Sequence, residues 1–208
     1  VIDAFNEFEN RNLIKSFNYT DPHPREIDGL LFFPNSFWSI EVKSHPIFRK
    51  MPNDFDKALF KFENKVSKAL DQGRKANEYL QNDGDRIIQN LTDQKSAKGF
   101  ESGIIIILDG LLPTIFSQNR MMDKILSGVE IYDSIEPDKR IYVLSIFDLF
   151  EMANQVDEID KLEKFLLWRT DFGFDMPVFA FNEREYWAMF NDNIANDEDF
   201  RGALEDLA

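Results

Sequence analysis

The sequence predicts an α/β protein whose sheet is covered on both faces, and three observations predict it. Two short apolar runs, Ile27 to Phe33 and Phe37 to Lys43, flank a Pro34-Asn35-Ser36 turn. A long stretch of helical spacing follows from about Phe55 to Leu80. Gly103 to Asp109, GIIIILD, is then continuously apolar. Runs of this length suit strands and are too short for helices, and an uninterrupted one marks a strand buried on both sides. The turn residues make the first two runs an antiparallel hairpin.

The hairpin carries the chemistry. Side chains alternate along a strand, so Glu41 and Lys43 share a face while Trp38, Ile40 and Val42 take the other. Asp28 joins Glu41 and Lys43 only if the register pairs it with one of them. That needs a loop of two or four residues or a bulge, and a plain three-residue loop turns it away. Two carboxylates and a lysine at the end of an apolar sheet are explained by a hard divalent cation. Asp28, Glu41 and the Val42 backbone carbonyl are oxygen donors suited to Mg²⁺ or Mn²⁺. Such an ion activates water and stabilises charge on a phosphodiester, and Lys43 beside it orients that water or neutralises the developing charge.

Asp28 followed by Glu41-Val42-Lys43 resembles the D…E-x-K signature of the PD-(D/E)XK nuclease superfamily, in its nuclease-related (NERD-like) and restriction-endonuclease-like branches. Ile27 stands where the motif's name has proline. The resemblance implies a three-layer α/β/α restriction-endonuclease-like core with a mixed central sheet, over residues 1–145. Residues 146–208 are then a helical, acidic C-terminal extension packed on that core. It also implies Mg²⁺-dependent phosphodiester hydrolysis, DNA as the nucleic-acid partner, and pairing of two copies or assembly with further domains or subunits. A genome-defence or DNA-processing role goes with it. Similar nucleases carry a glutamine on the helix after the E-x-K strand, and Gln72 matches it. Ala76 stands where a Q-x-x-x-Y pattern has tyrosine, although Gln72…Ala76…Tyr79 is similar to NERD-like variants. A glutamate on the first helix helps hold the metal in similar proteins, which implies Glu9, with Glu7 as the alternative.

The 208-residue chain is 43% hydrophobic, ample for a packed core. Its 21 phenylalanines read as core packing. With no cysteine, disulfides and thiolate zinc sites are excluded, and two histidines leave little for imidazole ligation. No apolar stretch approaches membrane-spanning length and no signal peptide opens the chain, so a cytoplasmic protein without a membrane partner is expected. A formal charge of −14 argues against a generic nucleic-acid binder, but it is unevenly spread. Lys43 to Lys75 holds nine Lys/Arg against four Asp/Glu, whereas the chain from Asp148 holds five against sixteen.

In chain order, Val1 to Phe17 reads as a helix with Ile2, Phe5, Phe8 and Leu13 inward, and Glu9 lies on that face, four residues from both Phe5 and Leu13. After a proline-containing loop, Asp54 caps the long helix. Lys57, Lys61, Lys65 and Lys68 form a stripe on it able to follow a phosphate backbone, with Arg74 and Lys75 as further contacts. A second helix is read at Gly84 to Ala97, a short one at Asn119 to Ser127 and a short strand at Val129 to Tyr132. Arg140 to Leu144 reads as a buried strand, followed by helices from Ile146 to about Val156 and from Ile159 to Arg169, with Asp148 a helix-start carboxylate. The segment MPVFAF reads as an edge strand, Glu183 to Phe190 as a helix, and the chain from Asn191 as an acidic end. A catalytically silent nuclease-fold module that binds a protein or nucleic acid is the alternative function, motivated by the acidic charge.

Overall fold

A computed structural model describes residues 13–43, 55–83, 100–108, 140–156, 158–171 and 183–192, with side chains of the long helix described from Asn64. Five strands, β1 (Leu13–Asp21), β2 (His23–Phe32), β3 (Ser36–Lys43), β4 (Glu101–Leu108) and β5 (Arg140–Ser145), lie side by side in chain order. β1, β2 and β3 are antiparallel neighbours, whereas β3, β4 and β5 run parallel. Parallel strands need a crossover. The segment between β3 and β4 contains helix α1 (Phe55–Asp83), which lies on one face of the sheet. Helices α2 (Ile146–Ala153), α3 (Ile159–Asp171) and α4 (Glu183–Asn191) cover the other. The result is the expected α/β/α arrangement with a mixed sheet, its second helical layer supplied by the chain after residue 145.

Two apolar clusters hold the layers. Leu31, Trp38, Ile40, Ile105 and Leu144 pack against Phe165, Leu166 and Trp187 on the α2–α4 side. Leu30, Phe32, Phe37, Ala76 and Leu80 pack on the α1 side. The helix approaches closely at Gly73, where a Cβ would lie 2.7 Å from Ile104 Cγ2 and 2.9 Å from Ser39 Oγ. One turn on, Asn77 donates to the Gly103 carbonyl at 3.0 Å. These contacts fix where along β3 each face of α1 falls.

The first strand corrects the sequence reading, because residues 13–17, expected to end a helix, open β1. The hairpin between β2 and β3 turns through four residues, Phe33 to Ser36, since Phe32 pairs with Phe37 and Phe33 N donates to Ser36 O. Buried Glu163 of α3 accepts from Asn35 N and from Ser36 Oγ, at 3.3 and 2.7 Å, and so braces this turn.

β1 and β2 keep one register throughout, yet their side chains exchange faces partway. Ile14, Leu30 and Phe32 belong to the α1-side cluster, with Leu13, Leu31 and Phe33 on the opposite side. Further along, Phe17, Tyr19 and Ile27 also face α1, which strict alternation would forbid. The change falls at Ser16 and Asp28, the position skipped between Lys15↔Gly29 and Phe17↔Ile27. Ser16 has φ 50°.

The remaining helices keep the expected starts and end within a few residues of the expected stops. Ser145 and Asp148 form a capping box on α2, so Asp148 is the helix-start carboxylate it was read as. Val1 to Asn12, including Glu7 and Glu9, lies outside the described residues, as do the segments read as helices at Gly84 to Ala97 and Asn119 to Ser127 and as strands at Val129 to Tyr132 and Met176 to Phe181.

Candidate active site

The site lies where β2 and β3 part. Their ladder runs from Phe32↔Phe37 to Gly29↔Ile40 and stops. The next inward backbone donor on β3, Val42 N, donates instead to Asp28 Oδ2 at 2.7 Å. A side-chain carboxylate thus takes the bond that a paired strand would have made. In an extended strand a residue's N–H and C=O point to the same side, so the Val42 carbonyl faces the same opening. The same register sets position 28 against 41, which meets the four-residue-loop condition for bringing the two carboxylates together.

Glu41 and Lys43 project toward α1, like Phe37 on the same strand. Lys43 Nζ donates to Glu41 Oε2 at 2.5 Å and to Gln72 Oε1 at 2.7 Å. Gln72 is delivered by the helix next to its contact at Gly73, so the seating of α1 on Ile104 sets the reach of the amide. Asp28, Glu41, Val42, Lys43 and Gln72, scattered over 45 positions of the sequence, therefore converge.

Glu41 is the unusual member. It is 1% exposed, and its Oε1 is buried with no hydrogen-bond partner among the described residues. Burial pushes its carboxyl up to about 7, Lys43 opposes that rise, and the charges of Asp28 and Glu26 add to it. A buried acceptor left unpaired costs on the order of 1–3 kcal/mol, and more when charged. Among the described residues no three His, Asp or Glu side chains group as a ligand set. The donors at hand are two carboxylates and a carbonyl, which suits an ion that keeps several waters. The unpaired Glu41 oxygen, hard donors and adjacent cationic Lys43 fit Mg²⁺ or Mn²⁺.

The expected basic stripe is only partly described. The side chains of Lys57 and Lys61 lie outside the described ones, Lys65 is half-buried and Lys68 exposed. Arg74 and Lys75 both pair with Asp71. Burial works against the Asp71 charge, but Lys75 and then Arg74 hold its carboxyl below its usual value. These two cations therefore carry a partner that a phosphate would have to share. Tyr79 packs against Tyr19, ring centroids 5.0 Å apart, and Ala76 is buried on the sheet.

Sequence reasoning missed Ser16, which faces Asp28, and Glu26, whose charge reaches Glu41. The two-residue spacing of Glu26 and Asp28 was a visible signal, whereas Ser16 gave none.

No family model matches the sequence, and no curated protein does. Among solved structures, the small subunit of a heterodimeric restriction endonuclease is similar at 15% identity. The match covers 93% of this chain and 86% of that one, with a TM-score of 0.40. No described helix is long and apolar enough to cross a membrane.

Proposed function

We propose that this chain is a divalent-cation-dependent nuclease that hydrolyses phosphodiester bonds in DNA. The observation that carries the reading is the buried Glu41 carboxylate, with one oxygen on Lys43 and the other unpaired beside Asp28. A cation is the partner that would offset the cost of that oxygen.

Asp28, Glu41 and the Val42 carbonyl would hold Mg²⁺ or Mn²⁺, with Glu9 as a further ligand directly or through water. Bound there, the ion supplies Lewis acidity and lowers the pKa of a coordinated water. The chain's own residues do the rest. Gln72 Oε1 restrains the Lys43 ammonium, so the charge stays at the mouth of the site rather than swinging into solvent. From there Lys43 can stabilise negative charge that grows on a phosphate. Asp28, fixed by the Val42 amide, keeps one carboxylate oxygen for the ion. Lys57, Lys61, Lys65, Lys68, Arg74 and Lys75 on α1 would track the phosphate backbone, so binding should weaken as salt rises.

Within the superfamily the NERD-like branch is favoured by the spacing of Gln72, Ala76 and Tyr79. A cytoplasmic setting, pairing of two copies or assembly with other subunits, and a place in genome defence or DNA processing belong to the same reading. Linear, circular and single-stranded DNA incubated with Mg²⁺, Mn²⁺ or EDTA test it. Cleavage should require the metal and fall by at least about a hundredfold in Asp28→Ala and Lys43→Ala with the fold kept. Unchanged cleavage in both variants would sink the assignment. Absence of both cleavage and Mn²⁺ between Asp28 and Glu41 would favour the binding-module alternative, which the acidic charge motivates.

A further inference from the structure

We infer that Ser16, on a strand that gives no donor to the site, is a positioning residue for Asp28. Its left-handed backbone makes the two outer strands exchange faces at the Ser16–Asp28 pair, and that exchange turns the Asp28 carboxylate to the Val42 amide. The functional weight of this role rests on the cation site proposed above, but its geometry does not.

Ser16 has φ 50°, and no other non-glycine residue described has a positive φ. Only a few per cent of non-glycine residues adopt such a value, which costs L side chains through contact of Cβ with the backbone. Inside a strand it is more unusual still, because it breaks the pleat. The break is local, since Lys15↔Gly29 and Phe17↔Ile27 on either side keep the same register. A bulge would have shifted that register by one.

What changes is the face. Ile14 and Leu30 approach α1 on one side of the break, and Phe17 and Ile27 approach it on the other. Between them each strand absorbs half a turn. In β1 the left-handed Ser16 does so, and its carbonyl accepts from Asn18 Nδ2 at 3.1 Å. In β2 the exchange falls between Ile27 and Leu30, where Asp28 stands opposite Ser16 in the register. At the crossover the Asp28 side chain points sideways toward β3, where Oδ2 meets Val42 N. With regular alternation Ile27 would face away from α1, its place beside Phe17 and Tyr19 would be lost, and Asp28 would stand out from one face of the sheet.

The test compares Ser16→Gly with Ser16→Val. Glycine takes the left-handed conformation freely, whereas a β-branched residue resists it. The first readout is amide hydrogen exchange at Val42, followed by NMR in the full chain without metal. Ser16→Val should speed exchange at Val42 at least about tenfold while amides of β4 keep their protection, and Ser16→Gly should match the parent chain. The second readout is Mn²⁺ affinity by calorimetry, expected to fall about tenfold to a hundredfold in Ser16→Val and to be kept in Ser16→Gly.

Should Ser16→Val fail to melt cooperatively, Ser16→Asn and Ser16→Ala replace it, since asparagine tolerates the left-handed region better than alanine. Asn should then protect Val42 and Ala should not. Equal Val42 exchange in the compared variants overturns the role of Ser16. A parent chain that binds no Mn²⁺ overturns the cation site instead, and the Val42 readout still decides the role of Ser16.

Discussion

Two buried carboxylates, each paired with a cation, sit on opposite faces of one sheet and are completed differently. On the α2–α4 side Glu183 accepts from Arg169 Nη2 with Oε1, and from Arg169 Nε and Tyr142 OH with Oε2. The guanidinium lies 4.3 Å from the Tyr186 ring centroid. Burial would lower the Arg169 pKa, but Glu183 overrides it and holds the guanidinium firmly charged. Burial, then the Glu183 charge, pushes the Tyr142 hydroxyl well up. Both carboxylate oxygens of Glu183 are answered by protein. On the α1 side Glu41 has one oxygen answered by Lys43 and the other by no described residue. A network with all its bonds made rigidifies a core, and one short of a partner invites a ligand.

The largest effect is expected at the incomplete pair. Lys43→Ala should lower metal-dependent cleavage by about 10²–10³-fold, the scale of losing one preorganised charge at a reacting phosphate, with thermal unfolding little changed. A single-turnover assay checks it, and full activity in the variant would remove Lys43 from the chemistry. The completed pair should respond the other way. Glu183→Ala leaves Arg169 buried without its partner and should cost about 3–5 kcal/mol in urea unfolding. A loss under about 1 kcal/mol would mean that water reaches the guanidinium.

Glu41→Gln should stabilise the metal-free protein. Below about pH 4.5 this carboxyl is protonated in the folded and unfolded chain alike and contributes nothing to pH dependence. Between 4.5 and about 7 the unfolded chain gives up its proton first, so the folded state loses stability as pH rises, and above that the loss is constant. The full span corresponds to about 3 kcal/mol. In EDTA at about pH 8 Gln should recover about 1–3 kcal/mol of that, less than the whole because Lys43 loses its counter-charge. It should also flatten the stability profile between those pH values while cleavage is lost. An unchanged profile would show that Glu41 is better solvated than its 1% exposure indicates.

The smallest effect is expected at the helix seat. Gly73→Ala places a methyl against Ile104 and Ser39 and should cost about 1–3 kcal/mol by overpacking. Because Gln72 is the adjacent residue, cleavage should fall several-fold as well. Loss of stability with unaltered cleavage would separate the seat of α1 from the hold on Lys43.

Much of this arrangement was legible in the sequence. Apolar runs located β2 to β5, helical spacing located α1 to α4, and D…E-x-K with Gln72 located the residues that converge. The first strand was not legible, for a physical reason. Leu13 and Phe17 are four apart, a helical spacing, and the face exchange at Ser16 erases the period-two signal that would have revealed β1. Glu41 and Glu183 look alike as letters, because the number of partners each oxygen finds is a property of packing. The Arg169–Glu183 pair joins α3 to α4 and belongs to no motif. The Lys75–Asp71 pair has the readable four-residue spacing, but spacing alone does not distinguish a paired lysine from a solvated one.

Glu163 has a consequence for the order in which the molecule is made. It braces the turn between the two site strands from 128 positions downstream. A nascent chain that has emerged only as far as β4 already holds Asp28, Glu41, Lys43 and Gln72, but its Asn35 and Ser36 still lack this acceptor. On the nuclease reading proposed above, activity should therefore arrive only when α3 docks, later than synthesis of the motif itself.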